Sequence, residues 1–261
     1  MSIVDEKMLA GGAYAKKQLF CRSGLIAWSH GSRFRLGRRL IERYTGQRLL
    51  DYGCGDGTFL ALAYDLFPEA VGADVDPQQT HDCAHRFSEL PGLSFVLTED
   101  LRTGRHTHAY GLVVCMEVLE HCVEENLHRV LSDLRRLVTP DGTAIISVPI
   151  EIGPSLIFKQ IGRAAAGWRG LGDYKYREEY TWRELWKMMF AGKQTAISRP
   201  VFRSDFAPNR PNVFHGHKGF NWRALRLRLE KDFIVSETRF SPLGWLHGFF
   251  SSQAWFICKP R

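Results

Sequence analysis

The sequence lacks long apolar runs and regularly spaced cysteines. No apolar stretch reaches the roughly 18 residues that a membrane-spanning helix needs, so we expect no transmembrane segment. The first residues are acidic and no apolar run follows them, which argues against a secretory signal. The six cysteines are scattered and show no paired metal-ligand spacing. Reduced thiols in a cytoplasmic protein explain the cysteine pattern most simply. Such a protein can also contact a membrane peripherally.

Charge is sharply segregated along the 261 residues, although the net charge is only +7. Residues 1–46 carry a net charge of +6, residues 47–150 carry −9 and residues 151–261 carry +10. The acidic middle part suits a cationic ligand, whereas the basic flanks suggest an anionic substrate or surface. The alternative is that the basic residues form a solvated exterior. The length fits one domain with elaborations.

Residues 48–57 are the most informative stretch. An apolar, strand-like run ends at Asp51, glycines follow at Gly53, Gly55 and Gly57, and a helix-compatible run comes directly after them. Glycine lets the backbone turn tightly and approach a ligand closely, so strand, glycine turn and helix predict a nucleotide-binding loop. The spacing is not that of the dinucleotide fingerprint. The carboxylate before the turn suits a cationic ligand better than a pyrophosphate.

Further strands alternate with helices after the glycine loop. A second strand ends at Asp74, about 20 positions past the loop, where a carboxylate can accept hydrogen bonds from ribose hydroxyls. A third strand ends before Asp100, and a fourth leads from Tyr110 to Glu117. Either aspartate taken alone is more often a turn residue or a helix cap. Their order along the chain nevertheless predicts an α/β protein with a doubly wound sheet.

This series of elements resembles motif I and the following motifs of the class I S-adenosylmethionine-dependent methyltransferases, closely over residues 46–150 and moderately over residues 216–261. The resemblance implies a Rossmann-like, seven-stranded α/β sheet with helices on both faces. It implies four parts: an N-terminal helical lid (1–46), a cofactor-binding core (47–150), a substrate-capping insertion after strand 5 (151–215), and a last helix with a closing antiparallel hairpin (216–261). The implied cofactor is S-adenosylmethionine. Its implied contacts are Asp51, Gly53, Gly55, Gly57, Asp74, Asp100 at the adenine amino group, and Met116.

The strongest candidates for chemistry are a Glu117-x-x-Glu120-His121 motif and the pair His215 and His217. In the interpretation that we favour, His217 is the general base, because an imidazole pKa of about 6.5 suits proton removal from a hydroxyl; His121 and Glu117 complete the catalytic candidates. In a second interpretation, Glu117, Glu120, His121 and His217 (or His215) bind a divalent cation. That motif resembles one in ubiquinone-biosynthesis O-methyltransferases and in small-RNA 2′-O-methyltransferases. In a third, Glu120 and His121 merely begin a helix.

The segments that flank the core contain basic and amphipathic stretches. Residues 13–44 predict two short helices with a break near Ser29–Gly31. Four arginines of this segment either hold an anionic substrate group or cover a solvent face: Arg33, Arg35, Arg38 and Arg39. Residues 155–168 predict an amphipathic helix, so the segment 154–170 either contacts an anionic membrane or packs on the core. A second helix is expected over 182–190, and a loop over the substrate pocket is expected over 198–213.

These observations favour O-methylation of an anionic small molecule or of a lipid- or glycan-linked metabolite. The first alternative is an RNA 2′-O-methyltransferase, which the basic flanks and the two motifs support. The second is a non-catalytic protein that binds a membrane or a partner. The complete glycine loop argues against that last class, because a binding scaffold would not need cofactor contacts.

Overall fold

A seven-stranded sheet organises the chain in the computed structural model, which describes residues 9–20, 24–157, 159–161, 179–207 and 210–261. Its strands are β1 (Leu49–Tyr52), β2 (Ala70–Asp74), β3 (Leu93–Leu97), β4 (Tyr110–Met116), β5 (Val138–Pro149), β8 (Phe233–Ser241) and β9 (Gln253–Pro260). Their order is β3-β2-β1-β4-β5-β9-β8. The first five pair in parallel, and β9 pairs antiparallel with both β5 and β8. The predicted α/β sheet with its closing hairpin is therefore confirmed.

Helices cover both faces of this sheet. The α-helices whose bounds lie wholly within the described residues are α1 (Ala13–Gln18), α2 (Gly24–Ile41), α3 (Thr58–Ala63), α4 (Pro77–Arg86), α5 (Glu124–Leu137), α6 (Trp182–Met189) and α7 (Trp222–Asp232). Leu131 and Leu134 of α5 belong to the core on one face, and Phe34 and Ile41 of α2 belong to the core on the other. Among the described helices, none is long and apolar enough to cross a membrane.

Local sequence explains where several helices begin. The Asp76 carboxylate accepts hydrogen bonds from the backbone N–H groups of Gln78 and Gln79, and Pro77 occupies the first turn of α4. Both features are favoured at a helix N-terminus. Thr181 and Glu184 form a capping box at the start of α6, which satisfies two backbone donors at once. The first of these caps fixes the start of α4 directly after the carboxyl end of β2.

The N-terminal region differs from the prediction of two short helices broken near Ser29–Gly31. Helix α2 runs unbroken from Gly24 to Ile41, and the short helix α1 ends at Gln18. A glycine inside a helix costs only about 1 kcal/mol, which packing of the apolar side of α2 against the sheet offsets. The helix also needs a small residue at Gly37, where a Cβ would lie 2.9 Å from Phe59. The predicted break near Ser29–Gly31 is therefore wrong, because the helix continues through that glycine.

The stretch 198–213 is not the loop that its prolines suggested. It contains an antiparallel hairpin of β6 (Val201–Ala207) and β7 (Arg210–His215), which forms a second, two-stranded sheet. Both strands are edges, and proline is tolerated on an edge because its missing N–H can face away from the ladder. The backbone N–H of His215 donates to the His121 carbonyl at 2.9 Å, so the hairpin is joined to the residues after β4.

The predicted amphipathic helix over 155–168 is only partly within the described structure. Residues 154–157 and 159–161 are helical, whereas residues 162–168 lie outside the described residues. Helix α6 confirms the second predicted helix of the insertion.

Candidate functional site

A cavity of about 680 Å³ lies at the carboxyl ends of β1 and β4. It is bounded by the glycine loop, the start of α4 and the two N-terminal helices. Its lining residues are Gly11, Ala13, Tyr14, Arg33, Phe34, Asp51, Gly53, Cys54, Gly55, Asp56, Thr58, Phe59, Asp76, Gln78, Gln79, Asp82, Met116 and Glu117. The carboxyl edge of a parallel sheet is where α/β folds bind ligands, and residues of α1 and α2 line the cavity there.

The three glycines after Asp51 all have positive φ angles, which explains why glycine occupies them. The values are +81° at Gly53, +53° at Gly55 and +71° at Gly57. At Gly53 a Cβ would also lie 2.2 Å from the Val118 side chain. Gly53 and Gly55 line the cavity, as does Met116, whereas Gly57 acts as the N-cap of α3 and is not part of the lining.

Asp51 is a buried carboxylate at the floor of the cavity. Its Oδ1 atom has no hydrogen-bond partner among the described residues. Burial, and secondarily the nearby Asp74 carboxylate, raise the pKa of Asp51 to about 8. A buried charge without a partner is unfavourable, so this position favours a cationic group of a ligand in the cavity.

The other two predicted aspartates are placed differently. The Asp74 carboxylate accepts hydrogen bonds from Gly55 N at 2.9 Å and Asp76 N at 3.1 Å, and it is not part of the cavity lining. It holds the glycine loop, while Asp76 and its neighbours face the cavity. Asp100 is exposed and accepts a hydrogen bond from Leu97 N at 3.1 Å, also outside the lining. Their contacts with ribose and adenine stay predictions.

Asp56, which the sequence did not single out, fastens the lid to the glycine loop. Its Oδ2 accepts hydrogen bonds from the backbone N–H groups of Tyr14 at 2.9 Å and Ala15 at 3.1 Å. Its Oδ1 accepts from the Thr58 hydroxyl at 2.6 Å. The Tyr14 hydroxyl in turn contacts His30 Nδ1 at 2.7 Å. Its position inside the glycine loop was the available signal, but its partners in the lid, Tyr14 and Ala15, are more than 40 residues away in the sequence.

Of the four lid arginines, only Arg33 lines the cavity. Its Nη1 lies 2.9 Å from Glu117 Oε2, and both side chains are largely buried. Arg38 instead pairs with Asp65 at 2.6 Å, and Arg35 and Arg39 are exposed. The lid therefore directs one arginine towards the cavity, while the others lie at the surface.

Glu117 sits between the cavity and a second group of polar residues. It has a φ of +56°, an uncommon value for a residue other than glycine. Its Oε1 accepts a hydrogen bond from the Ser147 hydroxyl at 3.2 Å, and its Oε2 faces Arg33. Strained backbone of this kind concentrates at functional sites.

Next to Glu117, the side chains of Glu120, His121 and His217 converge. One ligand atom from each lies within 4.8 Å of the other two. Glu120 is fully buried, and neither of its carboxylate oxygens has a hydrogen-bond partner among the described residues. His121 Nε2 lies 3.7 Å from Glu120 Oε1. The structure thus brings together three of the four predicted metal ligands, while Glu117 is occupied by Arg33.

Hydrogen bonding fixes the orientation of His121. Its Nδ1 lies 2.9 Å from the His215 carbonyl oxygen, so Nδ1 carries the proton and donates. Burial, followed by the neighbouring His217, lowers the pKa of His121, which favours the neutral ring. Its Nε2 lone pair then faces Glu120, whose pKa is raised by burial and by Glu117. Two acceptors face each other here, and either a proton or a cation between them resolves the conflict.

The chain is similar in sequence and in fold to known proteins. The chain matches the family model of a methyltransferase domain over residues 29–190. It belongs to the class I S-adenosylmethionine-dependent methyltransferase family. The mouse small RNA 2′-O-methyltransferase is 27% identical over 136 residues, which cover 47% of this chain and 34% of that protein. A ubiquinone biosynthesis O-methyltransferase of Photobacterium profundum is 28% identical over 119 residues, which cover 45% of this chain and 50% of that protein.

A solved structure supports the fold of this methyltransferase family member. The PH0226 protein of Pyrococcus horikoshii superposes with a TM-score of 0.60 at 15% identity, covering 95% of this chain and 97% of that one. At this identity the similarity establishes the fold alone. The chain spans between a third and a half of the length of the two curated relatives described above.

Two further residues complete the surroundings of the histidines in this methyltransferase, and the sequence indicated neither as part of the site. Glu151 is fully buried directly after β5, with Oε1 2.9 Å from Lys159 Nζ and 3.9 Å from His217 Nδ1. Arg199 donates to the backbone carbonyls of Glu120 and Gly216. A polar residue at the end of a core strand was the available signal for Glu151, while Arg199 lies in the segment predicted as a loop.

Proposed function

We propose that this chain transfers the methyl group of S-adenosylmethionine to a hydroxyl group of an anionic small molecule or lipid-linked metabolite. We further propose that Glu120, His121 and His217 hold a divalent cation beside that hydroxyl. The observation that carries the proposal is the buried, unpartnered carboxylate of Glu120 among two imidazoles, adjacent to a cavity that suits the cofactor.

The chemistry of the cavity fits the methionyl end of S-adenosylmethionine, which carries both an ammonium and a carboxylate. The buried Asp51 carboxylate suits the ammonium, and Arg33, which lines the same cavity, suits the carboxylate. The glycine loop allows the backbone to approach closely. A volume of about 680 Å³ also lies within the range of small-molecule sites, about 300–1,000 Å³.

The donor set of the second group fits a divalent cation. One carboxylate and two imidazoles offer both oxygen and nitrogen, a mixture that suits Mn²⁺ better than Mg²⁺, which prefers oxygen ligands. The His215 carbonyl orients His121 by accepting from its Nδ1, as outer-shell acceptors do for ligating histidines. A bound cation would lower the pKa of the acceptor hydroxyl. Glu117 would contribute only if it left Arg33.

Without a cation, His217 remains the candidate general base. Its side chain is partly exposed beside the cluster, and Glu151 lies 3.9 Å from its Nδ1. A carboxylate there would stabilise the imidazolium that forms when the ring accepts the hydroxyl proton. The two mechanisms differ in one measurable respect, because only the first requires that methyl transfer depend on added metal.

RNA 2′-hydroxyls are the second candidate acceptor. The similarity to a small RNA 2′-O-methyltransferase and the basic charge of residues 151–261 support this possibility. Binding through phosphate contacts would weaken steeply with salt. An RNA fragment with an unblocked 3′ end is the competing substrate in the methyl-transfer assay, and its binding is measured at low and at high salt.

The proposal is tested by calorimetry and by methyl transfer. S-adenosylmethionine is titrated into the wild type, followed by Mn²⁺, and the same titrations are repeated with Glu120→Gln and with Glu125→Gln, an exposed glutamate of α5 as the matched control. We expect micromolar cofactor binding in all three and at least tenfold weaker Mn²⁺ binding only in Glu120→Gln. Labelled cofactor is then incubated with lipid, small-molecule and RNA fractions. Absence of cofactor binding by the wild type would overturn the proposal.

A further inference from the structure

Helix α6 presents an exposed aromatic face. Trp182, Trp186 and Phe190 follow one another at four-residue spacing, and they are 80%, 57% and 73% exposed. Arg183 and Lys187 are exposed beside them. Residues three and four apart lie on the same side of a helix, so the five side chains form one surface. We call Trp182, Trp186 and Phe190 the aromatic face of α6.

The opposite side of α6 is the one that stabilises the fold. Leu185, Met188 and Ala191 pack into the core, and the backbone N–H of Gly153 donates to the Met188 carbonyl at 3.0 Å. The helix is therefore held against the segment after β5 by the side opposite to its aromatic face. Contiguous exposed apolar surface of this kind marks interaction sites in soluble proteins.

We propose that the aromatic face of α6 is a contact surface for an anionic lipid bilayer. Tryptophan rings are favoured at the boundary between headgroups and acyl chains. Arg183 and Lys187 flank the rings and complement the negative potential of anionic headgroups. The proposal rests on this surface alone and not on the chemistry proposed for the site.

A single-stranded RNA fits this surface less well. Proteins that bind single strands combine a basic groove with aromatic rings whose faces are open to bases. Trp186 and Phe190 instead stack on each other, with ring centroids 5.6 Å apart and planes 10° apart. No base can enter between them, and a single helix side forms a ridge rather than a groove.

A second copy of the chain is also less suited as the occupant. Large aromatic side chains bury about 150–250 Å² each, so three of them supply several hundred Å². A stable protein interface buries about 800 Å² on each partner. A lipid surface needs no such area, because each inserted ring contributes separately.

The location of the surface fits its proposed partner. The connection between β8 and β9 carries the exposed Trp245 and Phe249, and the backbone N–H of Ile150 donates to Ser252 of the same connection at 2.8 Å. This connection and α6 therefore both lie just beyond the carboxyl end of β5, the edge of the sheet at which the cavity lies. The membrane contact that the sequence predicted for residues 154–170 stays a prediction. Within that segment, the side chain of Ile161 is exposed.

Vesicle flotation tests the proposal with the full chain in the absence of cofactor. The vesicles contain either phosphatidylcholine alone or phosphatidylcholine with about one third phosphatidylglycerol. The variants are Trp186→Ser, Trp186→Ser with Phe190→Ser, and Arg183→Gln with Lys187→Gln. The matched control is Ile234→Ser, which removes a side chain 54% exposed at the opposite end of β8. Thermal melting confirms that each variant folds.

We expect the wild type and Ile234→Ser to float with anionic vesicles and not with neutral ones. The double aromatic variant should bind at least tenfold more weakly, and the double basic variant should lose the preference for anionic lipid. Binding that is unchanged in the aromatic variants would overturn the proposal, as would failure of the wild type to bind. Sedimentation that shows a dimer dissolved by Trp186→Ser would overturn it in favour of self-association. Because no methyl transfer is measured, failure here is distinguishable from failure of the proposed function.

Discussion

The guanidinium of Arg33 and the carboxylate of Glu117 form a buried ion pair at 2.9 Å, which links the lid helix α2 to the end of β4. The pair lies between the cofactor cavity and the cluster of Glu120, His121 and His217. It therefore joins the two halves of the site and keeps Glu117 from the cluster. Both residues were candidates from the sequence, but nothing in the sequence paired them.

Removal of one partner of this pair is expected to destabilise the chain strongly. Arg33→Leu leaves the Glu117 charge largely buried, and breaking a buried pair costs about 3–5 kcal/mol. Arg35→Leu, an exposed position of the same helix, is the control and should cost less than about 1 kcal/mol. The double variant Arg33→Leu with Glu117→Gln should recover much of the loss, because no charge is left without a partner. Urea unfolding measures all three; equal stability of Arg33→Leu and the control would contradict this prediction.

The stability of the chain should depend on pH through Asp51. Its folded pKa of about 8 is above its ordinary value of 3.8. Between these values the folded chain binds more protons than the unfolded chain, so the contribution of Asp51 to stability falls as pH rises. Asp51→Asn does not titrate and should gain roughly 2–4 kcal/mol over the wild type between pH 5 and pH 8.

The same substitution should weaken S-adenosylmethionine binding at least tenfold, because the ammonium loses its charged partner. Thermal melts of both proteins at pH 5 and pH 8, with calorimetry of the cofactor, measure these two effects. Melting curves that shift equally with pH in both proteins would show that Asp51 is already ionised in the folded chain.

Two glycines separate backbone strain from steric conflict. Gly53 and Gly46 have similar φ angles of +81° and +85°, so alanine is equally strained at both. Only at Gly53 would the added Cβ meet another atom, Val118 Cγ2 at 2.2 Å. Gly46→Ala should cost about 1–2 kcal/mol, whereas Gly53→Ala should cost more and abolish cofactor binding. The free energy of unfolding and the Kd of S-adenosylmethionine check both; cofactor binding retained by Gly53→Ala would contradict the proposed role of the loop.

Helix α1 should detach from the glycine loop when Gly12 is enlarged. A Cβ at this position would lie 2.2 Å from Asp56 Oδ2, the atom that accepts from Tyr14 N and Ala15 N. Gly12→Ala should therefore increase proteolysis of the N-terminal segment and weaken the binding of S-adenosylmethionine severalfold. Gly104→Ala, where nothing lies within 4 Å of the added atom, is the control. Equal cleavage rates in the two variants would contradict the role of Asp56 in holding the lid.

The sequence predicted the core of the fold because its signals are local. The strand–glycine–helix unit around Asp51 and the strand that leads from Tyr110 to Glu117 each depend on neighbouring residues, so short-range pattern reveals them. The hairpin at β6 and β7 was missed because its prolines suggested a loop, and their tolerance on edge strands depends on pairing. The unbroken α2 was missed because its packing on the sheet outweighs the glycine at position 31.

In the site, the sequence by itself determined the positions of those residues that are close together in the chain. The three glycines lie in the turn after β1, and the Glu117-x-x-Glu120-His121 motif lies in the turn after β4. Each group is positioned by the geometry of its own turn. Only the tertiary structure decided that Arg33 pairs with Glu117, that Asp56 holds the lid and that Asp74 faces the loop rather than the cavity. The reason is physical: backbone conformation follows from adjacent residues, whereas burial and charge pairing depend on elements that are distant in sequence and meet only when the sheet has formed.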